Sequence, residues 1–397
     1  MKKFTKMWAI AACALFAGTA AVNAEDYTWK FVTAGDATTY AIRSDGSLWS
    51  WGWNEKGQGG NGVSERTATP TLADGNRVWK KAVGGKAYGF FLAEDGSLWA
   101  AGTHEGGVQG TNDGIDHKVL TRIGTDNDWA DMACSRFWGD SGFAIKTNGT
   151  LWAWGKNSAG QLGIGNTQAQ TAPVQVGADM DWKQVAAGCS SVLALKTDGS
   201  LWGWGFNMYS ELFGHEGKQL SPVRLGSERD WEQVVVIDFR AYAVKKDGTL
   251  WAWGDNANNL LGFNTPTEEE TTAEGNPVEV VTVPQITAPT HVTSIEGKVL
   301  TISGCENTLS VATGTDGVIE KVWMLGSNTD GALGDGKGLG NGNKDIPFAK
   351  VPVHPSLKSS LKFAGMSSGQ NYTVMLTTDA PYQRRVSYAC HRVVLPY

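Results

Sequence analysis

The feature that most constrains this chain is a nine-residue stretch at positions 44–52, Ser-Asp-Gly-Ser-Leu-Trp-Ser-Trp-Gly, which recurs along the sequence. The Asp-Gly or Asn-Gly pairs in its copies begin at 45, 95, 148, 198, 247 and 316, at spacings of 50, 53, 50, 49 and 69 residues. A seventh copy begins at Asp379 and is interrupted by Ala380 and Pro381. A repeat of this length is typical of proteins in which each repeat is one supersecondary unit. We therefore expect an array of similar units.

Each copy belongs to a repeat that predicts four short strands, named here a to d. In the repeat around Trp182, strand a covers 182–188, strand b 192–196, strand c 201–205 and strand d 222–225. Between strands b and c, Asp198-Gly199 is a pair that readily adopts positive φ at both residues, which predicts a type I′ hairpin. Pro222 at the start of strand d suits an edge strand, because its missing N–H is not needed there.

The tryptophans of strand c indicate how the units pack. Trp202 and Trp204 lie two residues apart and face the same side of the strand, whereas Gly203 faces the other side. Sheets with one wide and one small-residue face can interdigitate. Four-stranded units without helices between them bury both faces when they are arranged radially. The predicted fold class is all-β: a seven-bladed β-propeller built from repeats of about 50 residues, with a degenerate last blade.

The repeats predict a single propeller domain over residues 25–397. Within it, 263–300 is expected to be a surface insertion, because it is long, acidic and rich in proline. The last repeat keeps strands a and b at 363–376 but loses the Leu-Trp-x-Trp-Gly strand. Residues 384–391, in a divergent tail at 381–397, would have to supply that strand in altered form.

The first 24 residues have the pattern of a secretory signal peptide. Lys2, Lys3 and Lys6 precede an apolar run from Met7 to Val22, and Val22-Asn23-Ala24 is a small-residue cleavage site. We predict cleavage after Ala24 and a location that is secreted, periplasmic or in the cell envelope. No other segment is apolar enough to predict a membrane span.

Charge and cysteine content limit the expected partners and cofactors. Removal of the three leader lysines changes the formal net charge from −6 to −9, which argues against a nucleic-acid partner. The four remaining cysteines allow three disulfide pairings, and small buried thiols are slightly favoured over any of them. No C-x-x-C pair suggests zinc or redox chemistry, and we expect no metal and no cofactor. These cysteines are Cys134, Cys189, Cys305 and Cys390.

The residues after strand c resemble a known repeat. Residues 155–163 read Gly-Lys-Asn-Ser-Ala-Gly-Gln-Leu-Gly, with equivalents at 52–60, 254–262 and 326–334. Following an Asp-Gly-x-Leu-x-x-Trp turn, this string resembles the regulator of chromosome condensation 1 (RCC1) repeat, over roughly 26–378. The resemblance is to a family of nuclear exchange factors, chromatin binders and exported bacterial propellers, some of them β-lactamase inhibitors. The signal peptide and acidic balance favour the exported bacterial type.

The resemblance implies binding rather than catalysis. Family members use a propeller face to hold another macromolecule, which implies a protein partner, and no family catalytic residue exists to be carried over. The chain departs from the common pattern at Thr38 and Ser191, where the family often has a histidine. A monomer that is not an enzyme is expected. Gly365-Met366-Ser367-Ser368-Gly369 matches a nucleophile-elbow pattern, but that elbow joins a strand to a helix, whereas this stretch lies between two predicted strands.

Propeller topology predicts where the binding residues lie. If strand a runs toward one face, the a–b and c–d loops share that face and the Asp-Gly turns lie on the opposite one. Aromatic and arginine side chains in irregular loops are common anchors of recognition surfaces, although some of them would simply cap blade ends. The candidate ligand-binding residues are Trp53, Lys86, Tyr88, Arg136, Phe137, Trp138, Asp140, Phe206, Tyr209, Phe239 and Arg240.

Two functions remain open from the sequence. The first is an exported binding propeller that acts through the a–b/c–d face as a scaffold, adhesin or inhibitor. The second is a glycan-binding, lectin-like propeller, in which tryptophans stack on sugars in pockets repeated blade by blade. The uneven aromatic content of the loops favours one composite patch over repeated pockets.

Overall fold

The protein is described by a computed structural model in which nearly every regular element is a β-strand. The predicted signal peptide, the candidates Phe137 and Trp138, and Cys390 lie outside the described residues. The described ranges are 28–136, 139–257, 260–262, 269–271, 277–279, 285–305, 308–326, 346–350, 362–369, 372–379 and 383–389.

Five sheets have four antiparallel strands each. The first three contain β1 (Trp29–Ala34), β2 (Thr38–Arg43), β3 (Leu48–Gly52) and β4 (Thr67–Asp74); β5 (Trp79–Gly84), β6 (Tyr88–Ala93), β7 (Leu98–Gly102) and β8 (His117–Arg122); and β9 (Trp129–Cys134), β10 (Ser141–Lys146), β11 (Leu151–Gly155) and β12 (Gln170–Gln175). The next two contain β13 (Trp182–Ala187), β14 (Ser191–Lys196), β15 (Leu201–Asn207) and β16 (Gly217–Leu225); and β17 (Trp231–Ile237), β18 (Arg240–Lys245), β19 (Leu250–Asp255) and β22 (Gln285–His291). A short 3₁₀ turn at Glu105–Gly107 follows β7.

The remaining strands form a larger sheet and a small hairpin. The hairpin pairs β20 (Glu269–Thr271) with β21 (Pro277–Glu279). The larger sheet contains β23 (Val299–Cys305), β24 (Thr308–Thr315), β25 (Val318–Gly326), β26 (Ile346–Lys350), β27 (Lys362–Gly369), β28 (Tyr372–Asp379) and β29 (Gln383–Ala389). Strands β25 and β27 meet in it through the single pair Ile319–Phe363. The described strands therefore form six blades, three additional strands and the separate hairpin, and a seventh complete blade stays a prediction.

Two sequence predictions about the later repeats can be compared with these strands. The segment 263–300, expected to be a surface insertion, contains β22, which pairs with β19 as the outer strand of the fifth sheet. The excursion is therefore shorter than predicted, and Pro289 in β22 is compatible with its place on the edge of that sheet. In the last repeat, where the sequence predicts an altered third strand, β29 pairs with β28 from Thr373–Ala389 to Asp379–Gln383.

The hairpin between strands b and c differs from the predicted type in five repeats. At Asp198-Gly199, φ is +82° at the glycine but is not positive at the aspartate, and Gly199 N–H donates to Lys196 O at 3.0 Å. The result is a three-residue loop ending in a left-handed glycine, not a type I′ turn. Asp198 Oδ1 accepts the N–H of Ser200 at 2.9 Å, a side-chain bond that stabilises the longer loop. Only Asp316-Gly317 has positive φ at both residues among the described turns.

The innermost strands, one from each repeat, contact one another around a central axis. The last three strands complete this contact between β23 and β1. Ser367 Oγ accepts the N–H of Ala34 at 3.0 Å, and Tyr372 Oη donates to Thr38 O at 3.0 Å. On the other side, Ser368 N–H donates to Ser303 Oγ at 3.1 Å. Strands β27–β29 therefore join the first sheet to the strands that precede them.

In the third, fourth and fifth sheets, the second tryptophan of strand c ties the sheet to the preceding blade. These three indoles are fully buried, and each Nε1–H donates to a carbonyl in the c–d loop of the preceding blade. The three bonds are Trp154 to Val108 O at 2.7 Å, Trp204 to Gln161 O at 2.8 Å and Trp253 to Glu211 O at 2.8 Å.

The first tryptophan of strand c has a different environment. It is half-buried, and the charged group of an arginine or lysine lies over its ring. These pairs are Arg43–Trp49, Arg77–Trp99, Lys146–Trp152, Lys196–Trp202 and Lys245–Trp251, at 3.7 to 5.0 Å from cation to ring centroid.

We predict that Trp204→Phe lowers the free energy of unfolding by about 2 to 3 kcal/mol, because it leaves the Gln161 carbonyl unpaired and a gap between two blades. Trp202→Phe, the matched change two residues earlier on a half-buried ring, is expected to cost about 1 kcal/mol or less. Urea unfolding of both variants measures the difference. Equal losses would show that the two tryptophans play the same role.

Candidate recognition face

The a–b and c–d loops lie on one face of the propeller, as predicted. In five repeats the first N–H of the c–d loop donates to a carbonyl of the a–b loop. These bonds are Trp53 to Ala37, Thr103 to Ala87, Lys156 to Asp140, Phe206 to Ser190 and Asp255 to Phe239, at 2.8 to 3.0 Å. The Asp-Gly turns instead bond to the start of the next inner strand, for example Trp79 N–H to Gly46 O at 2.9 Å. We call the a–b loops (35–37, 85–87, 135–140, 188–190 and 238–239) and the c–d loops the recognition face.

Arg136, a predicted ligand-binding residue, lies at the centre of this face and contacts the opposite side of the axis. Its Nη1 donates to Gly304 O at 3.0 Å and to Ser368 O at 2.5 Å. Burial lowers the pKa of Arg136, but the nearby Cys305, Cys134 and Asp36 groups raise it more, so the net pKa lies above its ordinary value. The guanidinium is therefore held as a cation that joins the third sheet to strands β23 and β27.

Other groups near the axis are also engaged by the fold. Burial raises the pKa of Asp36, which is not one of the predicted residues, to about 6, while the charges of Arg136 and Lys86 oppose that rise. Tyr88 is buried in a core cluster, and its hydroxyl donates to Ser135 O at 2.6 Å. Asp140 forms an ion pair with Lys156. None of these side chains is an exposed aromatic anchor of the kind that the sequence suggested.

A small cavity adjoins Arg136 between the inner strands. It is lined by Arg136, Ala187, Gly188, Val236, Ile237, Asp238 and Cys305, and its volume of about 10 Å³ accommodates about one water molecule. Cys134 and Cys305 are buried and form no disulfide bond, as the sequence slightly favoured, and Cys189 is partly buried with its Sγ donating to Asp238 Oδ1 at 3.3 Å. Burial raises the pKa of Cys134 and Cys305 to about 12, so both are protonated at neutral pH.

Two predicted residues from neighbouring blades meet away from the axis. The rings of Tyr209, in the c–d loop of the fourth sheet, and Phe239, in the a–b loop of the fifth, are 5.0 Å apart at an interplanar angle of 49°. Both are half-buried, and the neighbouring Met208 is 46% exposed. The other aromatic candidates on this face lie apart from the pair: Phe206 is approached by Lys218 Nζ at 5.9 Å, and Trp53 begins the c–d loop of the first sheet.

The backbone beside each ring of this pair is strained. Ser210, next to Tyr209, has φ +69°, and Asp238, next to Phe239, has φ +52°. The positions equivalent to Ser210 in the first and third sheets are Gly57 and Gly160, both at φ +77°. A non-glycine residue in this region costs about 1 to 3 kcal/mol, and such residues concentrate at functional sites. The fourth repeat therefore departs from the common sequence at the place where the aromatic pair forms.

Carboxylates surround the pair. Asp238 precedes Phe239, and Asp255 N–H donates to Phe239 O. Glu211 is fully buried, and its Oε2 accepts the N–H of Tyr209 at 2.8 Å, while Oε1 has no hydrogen-bond partner. Burial, reinforced by the charge of Asp255, raises the pKa of Glu211 to about 7 and also raises that of Asp238. Arg240, a predicted site residue, is buried and pairs with Asp238 at 3.3 Å.

The sequence prediction omitted Glu211 and Asp238 from the site. Glu211 stands where the first and third repeats have Gln58 and Gln161, so comparing the repeats position by position would have singled it out. Asp238 had no such signal, because the a–b loops share no common sequence. In the described part of the chain, no three His, Cys, Asp or Glu side chains are grouped so as to hold a metal ion, and no helix is long and apolar enough to cross a membrane.

Parts of the chain match a known repeat family. Residues 45–92 and 148–195 match the family model of the regulator of chromosome condensation (RCC1) repeat, and 29–58 match a second model of the same repeat. The chain is 30% identical to the ultraviolet-B receptor UVR8 of Arabidopsis thaliana over 163 residues, which are 40% of this chain and 37% of UVR8. It is 27% identical to human RCC2 over 150 residues, 37% of this chain and 19% of RCC2. The matches thus span well under half of either relative.

Solved structures show the same fold over most of the chain. Human WBSCR16 superposes with a TM-score of 0.70 at 16% identity, covering 89% of this chain and 87% of that one. Yeast RCC1 (Prp20), in a crystal structure in which it is bound to Kap60, superposes with a TM-score of 0.69 at 17% identity, covering 92% and 81%. At these identities the likeness establishes the fold alone.

We predict that Ser210→Gly raises the free energy of unfolding by about 1 kcal/mol, because glycine occupies positive φ without strain. Ser227→Gly is the matched control: Ser227 is exposed and has no positive φ, so the same change there should lower stability slightly. Thermal and urea unfolding measure both. If Ser210→Gly lowered stability as much as Ser227→Gly does, the backbone at Ser210 would not be strained.

We predict that Glu211→Gln stabilises the protein at pH 8 and hardly changes it at pH 5. The pKa of Glu211 is raised from 4.5 to about 7 on folding, so its stabilising contribution is complete below pH 4.5 and is lost as pH rises through about 7. Replacing Glu211 with the uncharged glutamine avoids this loss and should raise the free energy of unfolding by up to about 3 kcal/mol at pH 8. Glutamine preserves the bond to the backbone, since Gln161 Oε1 accepts Ala159 N–H at 2.9 Å in the equivalent place.

The measurement is urea unfolding of both proteins between pH 5 and pH 8. The pH-dependence of the difference isolates Glu211 from the other raised carboxyl groups, which are common to both proteins. A difference that stays constant across this range would show that Glu211 does not titrate on unfolding.

Proposed function

We propose that this all-β propeller of RCC1 repeats is an exported binding protein, not an enzyme, and that it holds a protein partner on its recognition face. In this proposal the ring has seven blades, the last of them built from β27–β29, and the protein works as a monomer outside the cytoplasm. The signal-peptide pattern of residues 1–24 and the acidic balance of the chain support this location. The roles that fit are scaffold, adhesin or inhibitor.

The observation that carries the proposal is the aromatic pair Tyr209–Phe239. Two half-buried rings from neighbouring blades, with the exposed Met208 beside them, form the kind of anchor that dominates binding energy at protein interfaces. The strain at Ser210 and Asp238 supports a functional role, because strained backbone persists where it is compensated by function. The fourth repeat has Ser210 where the first and third repeats have glycine, and this difference also supports a functional role for the aromatic pair.

The small size of the cavity near the axis favours recognition of a partner surface over binding of a small molecule. The cavity beside Arg136 accommodates about one water molecule, whereas small-molecule pockets have volumes of several hundred Å³. The buried thiols of Cys134 and Cys305 are protonated at neutral pH and are unsuited to act as nucleophiles. Yeast RCC1, which shares the fold, has been crystallised with the protein Kap60. These observations favour a partner that lies across the face.

The glycan alternative requires free tryptophan faces repeated around the ring. The repeated half-buried tryptophans each have an Arg or Lys of the same chain over the ring, as with Lys196 and Trp202 at 4.4 Å. A sugar would have to displace that cation in order to stack there. The tryptophan series therefore favours a structural role, and glycan binding becomes an outcome of the test.

We predict that the double variant Tyr209→Ala/Phe239→Ala loses at least tenfold in capture of a partner from the extracellular or cell-envelope fraction of the producing cells. Truncation of a central aromatic anchor to alanine typically weakens the binding free energy by about 2 kcal/mol or more. Met180→Ala is the control, because Met180 is 61% exposed but lies beside the Asn148-Gly149 turn on the opposite face. A glycan array is run with the same proteins.

Capture that survives the double variant but is lost in Met180→Ala would place binding on the wrong face and overturn the proposal. Array binding that persists in the double variant would overturn it in favour of a lectin. Cell fractionation tests the proposed location: recovery of the full-length chain, with its leader intact, only in the cytoplasm would contradict export.

A further inference from the structure

We propose that the partner presents a basic side chain, arginine or lysine, which lies on the Tyr209–Phe239 rings and pairs with Asp238 and Asp255. This inference rests on the proposed function and specifies the chemistry of the partner at that site. Its first basis is position. Asp238 and Phe239 are consecutive in one a–b loop, and Asp255 begins the c–d loop that is bonded to it, with Asp255 N to Phe239 O at 3.0 Å.

The charge of the site is unbalanced in favour of a cation. Burial is the main cause of the raised pKa values of Glu211 and Asp238, and the charge of Asp255 adds a smaller rise to both, as expected for neighbouring carboxyl groups. Arg240, which offsets Asp238, is 5% exposed and is bonded within the fold. A cation arriving from the partner would relieve this repulsion, whereas an anion would increase it. The chain as a whole is acidic, with a formal net charge of −6, which favours encounter with basic partners.

The rings themselves supply the second half of the site. A guanidinium or ammonium group over an aromatic ring gains about 0.5 to 2 kcal/mol, more when water is excluded. This protein uses that contact repeatedly within its own fold, as with Arg43 over Trp49 at 3.7 Å and Lys218 near Phe206 at 5.9 Å. Among the described residues, no lysine or arginine lies over Tyr209 or Phe239. The rings and carboxylates therefore suit a cation from the partner, in addition to the buried Arg240 that already pairs with Asp238.

The test is binding of a fluorescein-labelled peptide, Gly-Arg-Gly-Arg-Gly, to the full chain at low ionic strength, followed by fluorescence anisotropy. The comparison peptide carries citrulline in place of each arginine, which keeps the shape and removes the charge. We expect the arginine peptide to bind at least about tenfold more tightly and to weaken as salt is added. Equal binding of the two peptides would overturn the inference.

The variants separate this site from general attraction to an acidic protein. Asp255→Asn keeps the oxygen that accepts Ala257 N–H at 2.9 Å, and it is expected to weaken arginine-peptide binding three- to tenfold. Glu65→Gln removes the same charge from an exposed position on the same face and is expected to leave binding nearly unchanged. Phe239→Leu keeps an apolar side chain without the ring and should also weaken binding. An effect of Asp255→Asn no larger than that of Glu65→Gln would overturn the inference.

The two proposals fail separately. If a captured partner is lost in Tyr209→Ala/Phe239→Ala but retained in Asp255→Asn, the recognition face stands and the cation site is wrong; an apolar side chain then occupies the rings. If the arginine peptide binds at the site but no protein is captured from any fraction, the cation site stands and the proposed function is wrong.

Discussion

The bond between a buried indole and a carbonyl of the preceding blade is the interaction on which this fold depends. In Trp154, Trp204 and Trp253 a large ring fills the gap between two sheets while its N–H satisfies a loop carbonyl there. One side chain thus supplies apolar burial and polar satisfaction at the same interface. Because that carbonyl belongs to the c–d loop, the interaction that packs the blades also sets the loop conformation on the recognition face.

Because the same bond packs the blades and sets the c–d loop conformation, the sequence of the recognition face can vary only at positions that leave this bond intact. In the third repeat Gly160 has the positive φ that the loop requires, and Gln161 supplies the carbonyl to Trp204. The fourth repeat keeps the same bond through Glu211 while replacing the glycine with Ser210 and adding Tyr209. The loop therefore retains its architectural contact and accepts strain and a buried carboxyl group at the aromatic pair. Local departures from an otherwise consistent repeat are expected at functional positions.

Much of the fold followed from the sequence because the repeat encodes it several times over. The period, the Asp-Gly pairs and the Trp-x-Trp alternation predicted the strands, their order and the shared face of the loops. The turn type was mispredicted because Asp198 bonds to Ser200 N–H, a side-chain effect that the pair alone does not reveal. Of the predicted site residues, Tyr209 and Phe239 contact each other, whereas Tyr88 and Arg136 are bonded within the fold. Such contacts cross between repeats, and their partners are about 47 and 168 residues away.

Arg136 also limits how the number of repeats in such a protein can change during evolution. A tandem array of near-identical units lends itself to gain or loss of one unit, since each sheet contacts mainly its neighbours. Here the guanidinium from the third sheet reaches Gly304 and Ser368 on the far side of the axis. A ring enlarged by one unit would carry those carbonyls out of reach and leave a buried cation without partners. This contact therefore opposes a change in the number of units, whereas the loops can diverge without breaking it.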